Sequence, residues 1–177
     1  MMFHSTVTPY TDIRKYHTHF LDKDFFNKLK QTILDQDFPW RRRDSFTGAK
    51  KDTQIFFSYG FYQRLNIASH LYAPLILPIL NQLKATAPLR VQANLLISKL
   101  FNKSKWHRDS SLKCKAAILY LNDCDGGTEL KINNKIIFIK AVANQMLVFD
   151  SDVLHRAITS QTEPIRYIIN FNYFTDD

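Results

Sequence analysis

The sequence predicts a mainly β protein, a sandwich or barrel with helices flanking it. Three observations carry that expectation. First, β-branched and aromatic residues crowd the second half of the 177-residue chain. From Arg90 onward, six short runs follow one another: "RVQANLLIS", "KAAILYLN", "TELKI", "KIIFIK", "QMLVFD" and "RYIINFNYF". Second, turn residues separate the runs: "DCDGG" at Asp123 to Gly127, Asn133 with Asn134, and "TSQTEP" at Thr159 to Pro164. Short strands so closely spaced form a double or closed sheet. Third, the strands are two-faced, because successive side chains point to opposite sides. In the last run Arg166, Ile168, Asn170 and Asn172 share one face, and Tyr167, Ile169, Phe171 and Tyr173 the other. In "RVQANLLIS", Gln92, Asn94, Leu96 and Ser98 oppose Val91, Ala93, Leu95 and Ile97. The apolar faces suit packed helices. The polar faces suit the lining of a cavity, since buried polar groups need partners.

The elements follow in chain order. "MMFHSTVTPYTDIRKYH" lacks the apolar core of a signal peptide. "DKDFFNKLKQTILDQD" spaces Phe25, Phe26, Leu29, Ile33 and Leu34 on one helical face, with Asp22 or Asp24 as the cap. "WRRRDSFTGAKK" is the densest basic patch and reads as a loop. "TQIFFSYGFY" reads as a strand, and "PLILPILNQLKATAP" as a second helix from Leu75 to Ala85. The strand runs complete the chain. Gly126 and Gly127 are expected to supply turn angles.

Composition bounds the class. Hydrophobic residues make up 45% and aromatics 14%, which fits one globular domain over residues 1–177. Residues 1–88 would form helical support and an N-terminal extension, and 89–177 the core strands. No apolar stretch approaches the roughly 20 residues of a membrane span, so a cytoplasmic protein is expected. Cys114 and Cys124 lack zinc-knuckle spacing and read as reduced thiols. A net charge of +8 suits an acidic partner, nucleic acid or an anionic metabolite, and equally a merely basic protein.

One constellation carries chemistry. "WHRDSS" places His107 and Asp109 one residue apart, so that both can point to one side while Arg108 points away. "NQMLVFDSDVLHRA" offers His155 after a short strand and a turn. Two imidazoles and a carboxylate on one face form the facial triad of non-heme Fe(II) oxygenases. Asp150 and Asp152 are rival ligands, but "FDSD" reads as the turn that presents His155. His4, His17, His19 and His70 have no partner at ligand spacing. Arg166 begins the last strand, where a guanidinium could clamp a carboxylate with two parallel hydrogen bonds.

From Asn94 to Phe174 the chain resembles Fe(II)- and 2-oxoglutarate-dependent dioxygenases of the prolyl-hydroxylase-like type. The resemblance rests on "HRD", "AILYLNDCDGGTEL", "NQMLVFDSDVLHRA" and "RYIINFNYF", in order and at the family's spacing. It extends to an uncharacterised phage-associated group with a similar final strand. It implies a double-stranded β-helix (jelly roll, cupin-like), with iron held by His107, Asp109 and His155. It further implies that Arg166 and Tyr120 bind the distal carboxylate of 2-oxoglutarate, with Asn94 near that co-substrate. The implied reaction consumes O2 and 2-oxoglutarate and releases succinate and carbon dioxide. Asp109 in place of a small residue favours hydroxylation over halogenation. Two departures stand out: "LLISK" lacks the family's tyrosine ahead of the first ligand, and Ile168 replaces a serine or threonine. The substrate is expected to be a peptidyl or free amino acid. A nucleobase is the alternative, as is a non-catalytic basic nucleic-acid-binding module on the same scaffold. Trp40, Arg41, Arg42 and Arg43 are expected to rim the entrance and hold an acidic or aromatic substrate.

Overall fold

The two-faced strands assemble into two antiparallel sheets with a shared interior. In this computed structural model, which describes residues 15–45 and 54–176, the N-terminal half holds β1 (Lys15–His17), α1 (Lys23–Ile33), β2 (Arg41–Arg43), β3 (Phe56–Gln63), β4 (Asn66–Ile67) and α2 (Leu77–Gln82). The C-terminal half holds β5 (Ala87–Ile97), β6 (Lys115–Tyr120), β7 (Gly127–Ile132), β8 (Lys135–Lys140), β9 (Met146–Asp150), β10 (Leu154–Ile158) and β11 (Ile165–Phe174). The large sheet runs β1-β9-β6-β11-β5-β3-β2, with β4 on the outer part of β3. The small sheet runs β10-β7-β8.

Two apolar clusters follow from strand parity. On one face of the large sheet, Val91, Ala93, Ile169 and Phe171 meet Phe26, Leu29 and Ile33 of α1 and Ile76, Ile79 and Leu80 from the second helical segment. On the other face, Leu96, Ile118, Tyr120, Leu147, Phe149 and Ile168 meet Leu130, Ile132 and Ile139 of the small sheet. The second cluster is the interior of the jelly roll. Full burial of each such aliphatic or aromatic side chain stabilises by about 1.5–3 kcal/mol. α1 starts where Asp22 accepts the Phe25 N–H at 2.8 Å, and Asp24 sits in the first turn, where the helix dipole favours an acid.

Several boundaries differ from expectation. The second helix is shorter than Leu75–Ala85. A single π-type turn occupies Tyr72–Ile76, with the Leu77 N–H reaching the Tyr72 carbonyl, and regular helix covers only Leu77–Gln82. Pro74 and Pro78 lack the N–H groups that a continuous helix would use there. Lys84 then adopts a left-handed φ of 55°, and the Ala85 N–H closes on the Leu80 carbonyl. The "RRR" segment, read as loop, is strand β2, paired with β3 at the sheet edge. β1, β4 and β10 are further strands that the sequence pattern does not indicate.

The glycine expectation is corrected too. Neither Gly126 nor Gly127 is in the left-handed region; instead the backbone crowds both. A Cβ on Gly127 would collide with the Ile139 carbonyl, and one on Gly126 would meet the Ile158 carbonyl oxygen and Ser160 N at 2.7 and 2.8 Å. These glycines permit close approach between strands. By contrast, Asn133 and Asn134, with φ of 49° and 61°, form the two-residue turn between β7 and β8 that the sequence indicates. Among the described residues, no helix is long and apolar enough to cross a membrane. Cys114 and Cys124 are buried and free of disulfide bonding, as expected. His4, Lys50 and Lys51 lie outside the described residues.

Candidate metal centre

His155 is placed by β10, and β10 pairs with β7 so that His155 lies opposite Leu130. His107 belongs to an irregular segment that runs antiparallel to the far side of β10. Backbone bridges link Lys103 with Ile158 and His107 with His155. Three residues on one side, 104–106, therefore face two on the other, 156–157, an irregularity of the bulge kind that re-aims a side chain. The two histidines exchange both backbone hydrogen bonds, each 3.0 Å, and their rings sit 4.4 Å apart. Trp106 is held by the Arg156 guanidinium at 4.4 Å from its ring, and Arg156 is itself paired with Glu129 at 2.6 Å. That contact anchors the chain one residue before His107.

The third group comes in as the spacing suggests. The Asp109 N–H donates to the Ser151 carbonyl at 3.2 Å, while Arg108 turns outward and donates to the Asp152 carbonyl at 2.7 Å. The turn at Asp150 to Val153 closes on a 3.0 Å hydrogen bond and leads into His155, the role read for "FDSD". Asp150 pairs with Lys115 at 2.8 Å, and neither it nor Asp152 joins the cluster.

His107, Asp109 and His155 each offer a ligand atom, and all three atoms lie within 4.8 Å of one another. The Asp109 Oδ1 is 3.9 Å from His107 Nε2 and 3.6 Å from His155 Nε2. Each imidazole has its other nitrogen engaged: His107 Nδ1 with the Lys105 carbonyl and His155 Nδ1 with the Val153 carbonyl, both at 3.0 Å. A carbonyl accepts only, so each Nδ1 carries a proton and each Nε2 is the nitrogen left toward the centre, where loss of its proton exposes a lone pair for a metal. This is the outer-shell arrangement that metal-ligating histidines use. Burial, reinforced by His155, pushes the His107 pKa below its ordinary value, which keeps that imidazole neutral. At Asp109 burial acts upward but is outweighed by the bond and charge of His155, by Arg90 and by Asn172, so its carboxyl lies well below the usual range. Two imidazoles and one ionised carboxylate are the donor set a divalent transition metal takes, with the remaining positions left for other ligands.

A second polar group lies deeper in the barrel. Arg166 is fully buried. Its NH2 donates to Thr128 Oγ1 and its NH1 to the Ile158 carbonyl, both at 3.1 Å. Tyr120 donates its hydroxyl to the same Thr128 oxygen at 2.8 Å, and its ring centroid lies 5.3 Å from the guanidinium carbon. Thr128 pairs with Ala157 two rungs beyond the Leu130–His155 pair, so the Thr128 that Arg166 contacts lies about 7 Å further along the same face. Among the described residues, Arg166 has no carboxylate partner, and its Nε is buried without any hydrogen bond. Burial pulls its pKa down, though a guanidinium stays charged. A buried, partly unsatisfied cation beside a tyrosine fits an anionic small molecule bearing a carboxylate.

The other candidates separate by face. Asn94 is buried on the interior face, in the row Tyr120–Ile168–Asn94–Ser58, where it accepts from Gln92 at 2.6 Å. Arg41 pairs with Ser58 and Arg43 with Phe56, which puts both arginines on that interior face. Arg43 Nε donates to Ser58 Oγ at 2.8 Å. Arg42 faces the other way and pairs with Asp44. Trp40 is not brought to the site: its ring packs against Phe38 at 4.9 Å and Tyr167 at 6.1 Å, on the helix-bearing face. Period-two alternation at the sheet edge gives Trp40 and Arg42 to one side and Arg41 and Arg43 to the other. Sequence reasoning passed over Thr128 and Arg90. Asn172 was placed on the correct face without a role, and parity was the signal that could have assigned one.

No protein-family model matches the chain, and no curated protein matches it. Solved structures do. A prolyl hydroxylase in complex with a hypoxia inducible factor oxygen degradation domain peptide fragment, from Trichoplax adhaerens, superposes with a TM-score of 0.68 at 15% identity, covering 94% of this chain and 85% of the other. An oxidoreductase of the 2OG-Fe(II) oxygenase family from Burkholderia pseudomallei gives 0.68 at 11% identity, covering 92% and 85%. The epimerase SnoN in complex with Fe3+, alpha ketoglutarate and nogalamycin RO gives 0.63 at 13% identity, covering 93% and 79%. At these identities the likeness shows a shared fold, the jelly roll expected from the sequence.

Proposed function

We propose that this protein is an Fe(II)- and 2-oxoglutarate-dependent dioxygenase. It would hydroxylate a peptidyl or free amino-acid side chain and release succinate and carbon dioxide. The observation that carries the reading is the pairing of two sites in one barrel. One is the cluster of His107, Asp109 and His155, with both Nδ1 atoms committed to carbonyls. The other is the fully buried Arg166, whose Nε is unsatisfied. Solved structures with the same fold include one holding Fe3+ and alpha ketoglutarate.

In this reading His107, Asp109 and His155 hold the metal, which supplies oxygen activation. Arg166 binds the distal carboxylate of 2-oxoglutarate through its guanidinium edge. Tyr120 would turn its hydroxyl hydrogen from Thr128 to that carboxylate, and Thr128 orients Arg166. Asn94 lies on the same interior face. Apolar Leu130, Phe149 and Ile168 exclude water between the sheets. Arg41 and Arg43 share the interior face at the sheet edge, which favours a substrate carrying negative charge. The peptidyl preference rests on likeness to a prolyl hydroxylase that binds a peptide.

The test has two stages. Anaerobic addition of Fe(II) and then 2-oxoglutarate is expected to give a weak visible charge-transfer band. Succinate release is then screened with amino acids, peptides and oligonucleotides as substrates. A protein that shows neither the band nor any succinate with Fe(II) present would sink the reading. Stimulation by oligonucleotides alone would move the substrate to nucleobases.

A further inference from the structure

Asp109 is the least rigidly mounted of the three clustered groups. His155 stands on a paired strand, and His107 is tied to it by two backbone hydrogen bonds. Asp109 lies outside any regular element, and its backbone is held by one 3.2 Å bond to Ser151. Its carboxylate is instead gripped from the opposite side of the barrel. Asn172 Nδ2 donates to Oδ2 at 3.0 Å, and Arg90 NH2 donates to Oδ1 at 3.3 Å. The two donors are themselves joined, because Arg90 Nε donates to Asn172 Oδ1 at 3.1 Å. Arg90 and Asn172 are direct cross-strand partners on β5 and β11.

We infer that Asn172 and Arg90 are positioning residues that orient the Asp109 carboxylate toward the two histidines, an inference that rests on the metal-centre reading above. A carboxamide can sit either way round, and only one orientation turns N–H groups toward Asp109. The Arg90 bond selects it, because Arg90 can only donate and so must face the amide oxygen. With Oδ2 engaged by Asn172, Oδ1 is left on the side of His107 and His155, at 3.9 and 3.6 Å from their Nε2 atoms. Asn172 is 3% exposed, so an amide with no partner there would be costly. Opposite it on β6 is Ala116, whose small side chain leaves room for the amide. Arg90 differs: its side chain is 41% exposed and its contact is longer, so its share is smaller.

The experiment is an anaerobic Co(II) titration followed by visible absorption, on the unaltered chain and on Asn172→Leu, Asn172→Ala and Arg90→Gln. Leucine matches asparagine in size without a donor, and alanine serves if leucine does not fit. Loss of an outer-shell partner of this kind weakens metal affinity about 10–100-fold. That range is expected for the Asn172 variants, together with a changed Co(II) absorption envelope. A smaller loss is expected for Arg90→Gln. A purely structural asparagine would lower the metal-free unfolding midpoint and leave the spectrum of the bound Co(II) unchanged. Binding within about twofold of the unaltered protein with an identical spectrum in both Asn172 variants overturns the inference. If the unaltered protein binds no Co(II), the metal-centre reading fails first, and this inference fails with it.

Discussion

Removing the Arg166 guanidinium would take away a fully buried charge at the inner end of the described site while leaving the His107–Asp109–His155 cluster untouched. Arg166→Ala is therefore expected to raise the KM for 2-oxoglutarate by the equivalent of about 2–5 kcal/mol, with Co(II) affinity unchanged. Tyr120→Phe removes one hydroxyl, whose bond goes to Thr128, and should cost about 0.5–1.5 kcal/mol. Steady-state succinate assays and Co(II) titrations read the two effects separately, and a normal KM in Arg166→Ala would refute the assignment. His107 provides a pH test at the same scale. Its folded pKa is lowered by burial, so between that value and the ordinary 6.5 the unfolded chain binds a proton that the folded chain refuses. The sign is thus destabilising on acidification. The metal-free protein should show no loss from this residue above about pH 7 and a declining urea midpoint below about 6.5. His107→Gln should flatten that decline, and an unchanged pH profile in the variant would refute the assignment.

At the scale of elements, the hairpin from β3 to β4 departs from good turn chemistry. Tyr62 pairs with Ile67 and Gln63 with Asn66, leaving Arg64 and Leu65 as a two-residue turn with φ of 51° and 61°. Such turns favour Asn-Gly, and left-handed angles in ordinary residues cost about 1–3 kcal/mol each. Leu65 is also 70% exposed, so it contributes little burial in return. Replacing Arg64-Leu65 with Asn-Gly should stabilise the protein by about 1 kcal/mol, read as a rise in Tm of about 2–4 °C. A fall in Tm would mean that the arginine or leucine makes a contact that outweighs the strain. The β7–β8 turn is the internal control, because Asn133 and Asn134 already occupy those angles. Element assignment from sequence worked where periodicity was long, as in α1 and β11. It failed for β10 and β2. β10, five residues long, interrupts its apolar residues with His155 and Arg156. β2 is three consecutive arginines at a sheet edge, where pairing with β3 rather than propensity makes the strand.

For the whole molecule, both proposed ligands join groups from distant parts of the chain, so each should stabilise the folded state, the metal by itself and 2-oxoglutarate on top of the metal. At about 100 times its dissociation constant, each ligand adds about 2.7 kcal/mol. For a chain of this size that corresponds to a Tm increase of roughly 5–11 °C. Co(II) alone should raise Tm, and 2-oxoglutarate should raise it further only when metal is present. Arg166→Ala should keep the first increment and lose the second; additive increments without metal would contradict a shared site. The sequence by itself determined the β class, the two-faced strands, the candidate trio His107, Asp109 and His155, and the inward side of Arg166. Each of these follows from local information: alternation along a strand, one residue of spacing, or turn chemistry. Tertiary structure alone decided which polar groups meet. It sent Trp40 beneath the helices and Arg41 and Arg43 to the interior face, and it joined Thr128 to Arg166 and Arg90 with Asn172 to Asp109. The physical reason is that register between strands is a long-range property. Parity along one strand gives the side on which a residue lies. Only pairing across strands sets which residue it faces.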